Sequence, residues 1–364
     1  MKFSVSKDAL LDGLQKVLTV IGSRSPIPVL SNVLFATRGD RLYLTATDLD
    51  ISVRAAVSAA VAEEGAITLP ARFVASIFRE APSAEISFEL REGVSAQITA
   101  GTATFLLRGI SADDFPPLPT SEGGRLVSVE QKTLKTMLQR TGYAASTDES
   151  RAILNGVLLR FKAGRLTAVA TDGRRLALVE QDVEIASDVS LDLSVPSKTI
   201  TELVRSLGDE GEVKIRAGTN QVVFETDTFS VFSKLLDGTY PNYLQVIPTQ
   251  AGVRISLERE MFLNALRRVA LLTSDKSNSV KLTFGHNRVE ITASSVDVGE
   301  AREVVPIKYD DQEIGIAFNP GLLMEPLKCL VADEVFLEIS SPTSPGVLKT
   351  DEPFLYVIMP MMIS

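Results

Sequence analysis

Two carboxylate pairs, Asp48 with Asp50 and Asp113 with Asp114, have the spacing to hold a divalent cation or to share acid-base work. Their contexts speak for turns instead. Thr47-Asp48 and Thr171-Asp172 close equivalent alternating stretches, and Asp113-Asp114-Phe115-Pro116 leads into a linker, so turn chemistry and capping account for them. The one histidine, His286, lies in Gly285-His286-Asn287, a turn-like triplet between two strand-like runs, which suits a surface turn better than a general base. The one cysteine, Cys329, rules out an internal disulfide and every multi-cysteine metal site, and reads as a small apolar residue near the end of a helix. No G-x-x-x-x-G-K, G-x-G-x-x-G, H-E-x-x-H or G-x-S-x-G occurs. No catalytic residue, metal ligand or cofactor is therefore expected. A hydrolase acting through Asp48 and Asp172 is one alternative, and a scaffold that binds only proteins is another.

The elements that must carry these residues recur three times. After Ser4-Val5-Ser6, apolar residues at Leu10, Leu11, Leu14, Val17, Leu18 and Ile21 form one stripe of a helix. Phe262, Leu263, Leu266, Val269 and Ala270 repeat that spacing after Ser256-Leu257-Glu258, and Leu134, Met137, Leu138 and Thr141 do so more weakly after Ser128-Val129-Glu130. Each copy continues with an apolar strand, at Val29 to Phe35, Ile153 to Phe161 and Val280 to Phe284. An alternating strand follows, at 41–48, 165–172 and 288–294, as expected of a sheet with one buried face. Pro70, Pro196 and Asn319-Pro320 then open a second helix, and three short strands close each unit. Every unit is thus strand, helix and three strands, twice over. Proline and glycine gather at Pro116 to Gly124 and at Pro248 to Gly252, which sets the expected domains at 1–120, 125–248 and 253–364.

A chain of 364 residues, 45% hydrophobic and 23% charged, can bury a core in every repeat. Met1-Lys2-Phe3-Ser4 leads straight into an amphipathic pattern, with neither a signal peptide nor an apolar run long enough for a bilayer, so a cytoplasmic location without membrane contact is expected. The formal charge of −9 argues against a surface that coats nucleic acid everywhere. It is unevenly spread: the helical segments 7–21, 71–80, 130–141, 197–206, 257–270 and 320–329 hold 13 Lys or Arg and 8 Asp or Glu, a balance of +5 that leaves −14 elsewhere. Lys132, Lys135, Arg267 and Arg268 belong to that basic set, which suits nonspecific attraction to phosphates. Repeats this large fit complete domains around an axis better than a solenoid, and head-to-tail contact between equivalent edges can close a ring.

Leu154-Asn155-Gly156, Ala170-Thr171-Asp172-Gly173-Arg174-Arg175-Leu176, Asp237-Gly238-Thr239-Tyr240-Pro241-Asn242-Tyr243 and Tyr356-Val357-Ile358-Met359-Pro360-Met361, taken in order, resemble the bacterial DNA polymerase III beta subunit, the DNA sliding clamp. Met1-Lys2-Phe3 and Ser31-Asn32 fit as well, and the resemblance spans the whole chain. It implies an α+β fold of three tandem clamp domains in a head-to-tail homodimeric ring, with helices lining the inside and sheets outside. The ring would enclose duplex DNA without reading its sequence and tether the polymerase, without being a catalyst itself. Its partners would be a clamp loader, the DNA polymerase III alpha subunit and repair polymerases, docking by short clamp-binding peptides.

By motif position, the resemblance assigns the peptide pocket to Leu154, Thr171, Gly173, Arg174, Arg175, Leu176, Pro241, Val246, Val357, Met359, Pro360 and Met361. Two methionines beside Pro360 would give an adaptable apolar lining. Read without the resemblance, Tyr356 to Met361 is a core strand. The family often has histidine where Arg174 stands and a basic residue where Met362 stands, so pocket polarity is expected to differ. DNA contact is implied for Arg24, Arg72 and Lys198, and a dimer seam for Phe105 and Leu107 against Leu271 and Leu272.

Overall fold

Burial alternates residue by residue along most of the chain, and that period of two makes strand the dominant element. A computed structural model describes residues 1–22, 27–119, 124–186, 188–249, 252–274, 278–295 and 299–362, with 25 strands and six α-helices among them. The first repeat runs β1 (Lys2–Ser6), α1 (Lys7–Leu18), β2 (Asn32–Arg38), β3 (Arg41–Thr47), β4 (Ile51–Ser58), β5 (Ala60–Glu63), β6 (Gly65–Pro70), α2 (Ala71–Glu80), β7 (Glu85–Arg91), β8 (Ser95–Ala100) and β9 (Ala103–Arg108). The second comprises β10 (Arg125–Glu130), α3 (Gln131–Thr141), β11 (Gly156–Lys162), β12 (Arg165–Thr171), β13 (Arg175–Asp182), β14 (Ser190–Pro196), α4 (Ser197–Ser206), β15 (Glu212–Ala217), β16 (Gln221–Glu225) and β17 (Phe229–Lys234). The third comprises β18 (Val253–Glu258), α5 (Arg259–Val269), β19 (Val280–Gly285), β20 (Arg288–Ser295), β21 (Gly299–Pro306), β22 (Ile314–Phe318), α6 (Pro320–Cys329), β23 (Glu334–Ile339), β24 (Gly346–Lys349) and β25 (Phe354–Ile358). Apart from β5 this is an α+β chain of strand, helix and three strands, written six times.

The first strand of each half joins the sheet of the other half. β1 pairs with β7 and β6 with β2; the same exchange links β10 to β15, β14 to β11, β18 to β23 and β22 to β19. Three boundaries differ from the sequence pattern. The strand expected from Val29 starts at Asn32, because Pro28–Ser31 forms a 3-10 turn whose first φ the proline fixes. The strand expected from Ile153 starts at Gly156, after a 3-10 segment Glu149–Leu154 whose first turn is capped by Asp148. The first helix ends at Leu18 rather than Ile21, its last turn tightened by bonds from the Val20 and Ile21 amides to the Val17 and Leu18 carbonyls.

The chain divides into two compact units. One comprises Met1–Lys132 with Thr201–Leu235, and holds a five-stranded sheet ordered β5-β1-β7-β8-β9 and an eight-stranded sheet ordered β10-β15-β16-β17-β4-β3-β2-β6. In it α1 buries Leu10, Leu14 and Val17, and a phenylalanine stack runs from Phe3 to Phe88 at 4.8 Å and from Phe88 to Phe35 at 5.8 Å. The other comprises Thr133–Ile200 with Leu236–Ser364, and holds an eight-stranded sheet ordered β14-β11-β12-β13-β25-β24-β23-β18 and a four-stranded sheet ordered β21-β20-β19-β22. There α5 buries Phe262, Leu263, Leu266 and Val269, each worth about 1.5–3 kcal/mol of transfer from water.

The proline that opens α6 needs a partner for the free amides behind it, and the Asn319 side chain supplies one by accepting from the Leu322 amide at 3.1 Å. Replacing Asn319 by Ala is expected to cost about 1 kcal/mol, read as a lower denaturant midpoint. An unchanged midpoint would show that the cap contributes nothing. Among the described residues no helix is long and apolar enough to cross a membrane.

Candidate functional site

In the second unit, β13 lies antiparallel to β25, placing Leu176 opposite Val357 and Arg175 opposite Ile358. Two distant stretches of chain thereby form one continuous surface. On one face Leu176 and Val357 pack with Leu158, Val169, Leu178 and Tyr243, with Tyr240, Ile247 and Leu355 against them. The ladder runs past the end of β25, since the Met359 amide donates to the Arg174 carbonyl at 2.9 Å and the Met361 amide donates to the Ala317 carbonyl at 2.7 Å. Those bonds tie Met359 to the turn after β12 and Met361 to β22 while leaving 47% and 36% of their surface exposed. Tyr356, by contrast, is wholly buried and donates to the Leu322 carbonyl at 2.7 Å. The motif Tyr356 to Met361 therefore begins as core strand and ends as surface.

The turn between β12 and β13 is fixed by its own side chains. Asp172 Oδ1 accepts from the Arg174 and Arg175 amides, at 2.8 and 3.0 Å, and Thr171 Oγ1 donates to the Arg175 carbonyl at 2.6 Å. Gly173 sits there at φ +86, a left-handed conformation that favours glycine. A β-carbon on it would come 2.9 Å from Arg151 Nη1, so the Arg151 side chain, from the Glu149–Leu154 segment that ends in buried Leu154, lies against this turn. Alternation puts Arg175 on the strand face opposite Leu176. Its guanidinium is bonded there to Asp172 Oδ2 at 3.1 Å and to the Tyr143 carbonyl at 2.5 Å, with Nη1 buried and unpartnered.

A third wall comes from residues 236–247. The Leu236 amide donates to the Ser194 carbonyl at 2.8 Å, and Asn242 caps the 3-10 turn Tyr243–Val246. Arg160 fixes the Tyr243 ring: it bonds both Asp192 oxygens, at 2.9 and 2.7 Å, and stands 5.6 Å over the ring. Burial pushes the Tyr243 hydroxyl above its usual range against the opposing pull of Arg160, so the ring stays neutral at pH 7. Pro241 and Val246 flank this turn on the surface, Val246 with 54% exposed. Tyr240, Tyr243 and Ile247 are not among the residues that motif position assigns to the pocket. Their signal was the Tyr240-x-x-Tyr243-x-x-x-Ile247 spacing beside a capping asparagine.

The surface so formed is apolar, rimmed by Arg174 and Arg151, and it contains no nucleophile paired with a base. It can hold an extended or turn-forming apolar peptide. The carboxylates considered for acid-base work are occupied elsewhere. Asp48 Oδ1 accepts from the Asp50 and Ile51 amides, just as Asp172 does in its own turn, and Asp113 lies in a 3-10 turn capped by Ser111. His286 is exposed in the turn after β19, with Nδ1 2.8 Å from Asp310 Oδ1. Cys329 ends α6, half-buried, and burial raises its thiol. Among the described residues no group of three or more His, Cys, Asp or Glu could hold a metal ion.

The remaining candidates belong to other elements. Arg72 is exposed at the start of α2 in the first unit, and Lys198 is exposed at the start of α4 in the second. Arg24 falls outside the described residues. Several members of the basic helical set are engaged with acids: Arg140 is buried in an ion pair with Glu352, Arg268 bonds Glu303 at 2.9 Å, and Lys16 and Lys328 pair with Asp12 and Glu325 on their own helices. Phe105 and Leu107 are half-buried on β9, an outermost strand of its sheet, and Leu271 is 77% exposed beside half-buried Leu272 in the 3-10 turn after α5.

Comparison with known proteins gives a consistent result. Three family models match in succession: the DNA polymerase III beta subunit N-terminal domain over residues 1–119, its central domain over 128–242 and its C-terminal domain over 244–362. The chain is 37% identical over 363 residues to the beta sliding clamp of Chlamydia pneumoniae, covering 100% of this chain and 99% of that protein. It is 32% identical over 375 residues to the beta sliding clamp of Bacillus subtilis, covering 99% of each. Among solved structures it is similar to the Bacillus subtilis DNA polymerase sliding clamp, with a TM-score of 0.94 at 31% identity, and to the Pseudomonas aeruginosa sliding clamp bound to griselimycin, with a TM-score of 0.95 at 33%; both alignments cover 100% of each chain.

Proposed function

Because the chain belongs to the DNA polymerase III beta subunit family, and is a DNA sliding clamp rather than an enzyme, we propose that it works as a head-to-tail homodimeric ring of six domains around duplex DNA. The domains would be 1–120, 125–248 and 253–364, with helices toward the DNA and sheets outside. Three family matches in one chain support the count: two chains supply six.

A joint made twice within the chain supports the head-to-tail seam. The last strand of one repeat pairs with the fourth strand of another, as β17 does with β4 and β25 with β13. The third equivalent pair is β9 and β21, and among the described residues each of these is an outermost strand with one neighbour. An edge strand with free backbone groups is a template for another chain. Pairing β9 of one copy with β21 of the next would bring Phe105 and Leu107 to Leu271 and Leu272. Exposed Leu106 and Leu271, at 68% and 77%, are the apolar area such a contact would cover.

Inside the ring Arg24, Arg72 and Lys198 would meet phosphates, along with Lys132, Lys135 and Arg267. Weak nonspecific attraction then permits sliding, and enclosure rather than affinity prevents loss. Peptides of the DNA polymerase III alpha subunit, the clamp loader and repair polymerases would dock on the apolar surface that runs from Leu154 and Thr171–Leu176 through Pro241 and Val246 to Val357, Met359, Pro360 and Met361. Arg175 would act there by positioning the turn. A cytoplasmic location follows from the replication role.

The observation that carries this reading is the Leu176–Val357 pairing, which joins the second and third repeats into one apolar surface at the family's motif positions. The test is topological. Protein loaded on closed circular duplex should remain bound through gel filtration and run off once the circle is cut, and its mass in solution should be twice 39.3 kDa. Equal retention on both forms, or a monomer, would overturn the ring.

A further inference from the structure

The sheet face that is apolar in the second unit has a counterpart of opposite chemistry in the first. The turns that set the two registers match bond for bond: Thr47 Oγ1 donates to the Ile51 carbonyl and Asp48 Oδ1 accepts from the Ile51 amide, as Thr171 and Asp172 do with Arg175. Counting three residues on from each turn, Arg54 stands where Leu178 stands. Across the joint Arg54 faces Ser230, whereas Leu178 faces Leu355. In the second unit this face is closed by Tyr240, Tyr243 and Ile247. In the first it is an open concavity of about 890 Å³, a size that suits a small organic ligand.

Arg54 is the unresolved group in that concavity. Its guanidinium lies between two rings, 5.8 Å from the centroid of Tyr43 and 5.6 Å from that of Phe232. Its Nε is buried without a hydrogen-bond partner, and among the described residues no carboxylate forms an ion pair with it. Burial pulls the guanidinium below its usual range, with Tyr43 and Glu225 opposing, so the site carries a cation whose neutralisation is incomplete. Buried polar groups of this kind are normally satisfied. Arg38, Arg41, Glu64, Glu225 and Asp227 also line the space; among them Arg41 donates to the Asp227 carbonyl at 3.1 Å, and Glu64 accepts from the Gly39 amide at 2.8 Å.

We propose that this concavity binds a monocarboxylate with an apolar body, its carboxylate forked by Arg54 and its body lying on Leu34, Tyr43 and Ala56. The planar guanidinium matches a carboxylate edge to edge, and the flanking rings hold it in one plane. A single negative charge completes Arg54. A phosphate dianion would bring a second charge to a lining in which three acids, Glu64, Glu225 and Asp227, already balance three arginines, Arg38, Arg41 and Arg54.

The test is a titration of the full chain with 3-phenylpropionate, following arginine Nε–H resonances by NMR, with 3-phenylpropionamide and inorganic phosphate as comparison probes. One arginine resonance, absent from Arg54→Lys, should shift saturably with the acid, and the amide and phosphate should each bind at least about tenfold more weakly, a gap of about 1.4 kcal/mol. Followed on the acid's own proton signals by saturation transfer, the response should be abolished in Arg54→Met and retained in Met359→Asp. Equal binding of acid and amide by the unaltered chain, a phosphate affinity matching the acid's, or an undiminished response in Arg54→Met would overturn the proposal.

Discussion

Replacing Met359 and Met361 together with aspartate is expected to lower the affinity for a clamp-binding peptide about 100-fold, roughly 2.8 kcal/mol, without changing the mass of the assembly. The free protein loses little, because both side chains are already part-solvated at 47% and 36% exposure and neither is needed to bury the Tyr356 ring. A docking apolar residue, however, must strip water from two carboxylates, of which Arg174 on the rim can pair with no more than one. The other basic groups at this surface are committed: Arg175 to Asp172 and the Tyr143 carbonyl, and Arg151 to Asp148. Fluorescence anisotropy with a labelled peptide gives the affinity, and gel filtration the mass. Unchanged affinity would remove these methionines from the site.

The second large effect is expected at Gly156. It opens β11 opposite Pro196 on β14, and a β-carbon there would press into the Val195 carbonyl oxygen while lying 2.8 Å from the Val195 carbon and 2.9 Å from Leu236 Cδ1. Backbone cannot swing aside as a side-chain tip can. Gly156→Val should therefore destabilise the chain by about 3 kcal/mol or more, and should weaken peptide binding as well, since Leu154 and Leu236 are displaced with the strand. Denaturant unfolding measures the first effect and anisotropy the second. A midpoint equal to that of the unaltered chain would show that β11 and β14 can separate at this point without loss.

The alternation at 41–48, 165–172 and 288–294 and the helical stripes at Leu10 and Phe262 were legible because each reports burial within one element. Turn chemistry was equally local: Asp48 and Asp172 cap the turns expected of them. Long-range partners carry no such mark. Nothing in the order of residues announces that β1 leaves its own half to pair with β7, or that β13 finds β25. The same limit explains the charges, for Arg140 and Arg268 count as basic helical residues, yet Glu352 and Glu303, far along the chain, occupy them. At the candidate site the strand termini were marked by motif, whereas Tyr240 and Tyr243, though inside the Asp237 to Tyr243 motif, carried no mark as site residues, because their burial depends on a sheet face that only the completed fold presents. The starts expected at Val29 and Ile153 missed two short 3-10 turns, whose signals, Pro28 and Asp148, are single residues.

The joint between β13 and β25 also bears on synthesis. Leu176 and Val357 are 181 positions apart, so a ribosome finishes the second repeat long before the partner strand emerges. At about 5–20 residues per second the gap lasts on the order of ten to forty seconds. Throughout it β13 is a bare sheet edge whose Leu176 and Leu178 lack the Val357 and Leu355 that will face them, which is an invitation to pair with a neighbouring nascent chain. Delivery of the tethering surface is thus a late event in the life of each molecule, and a chain interrupted before Phe354 would carry the hazard of that edge without the means to recruit a partner.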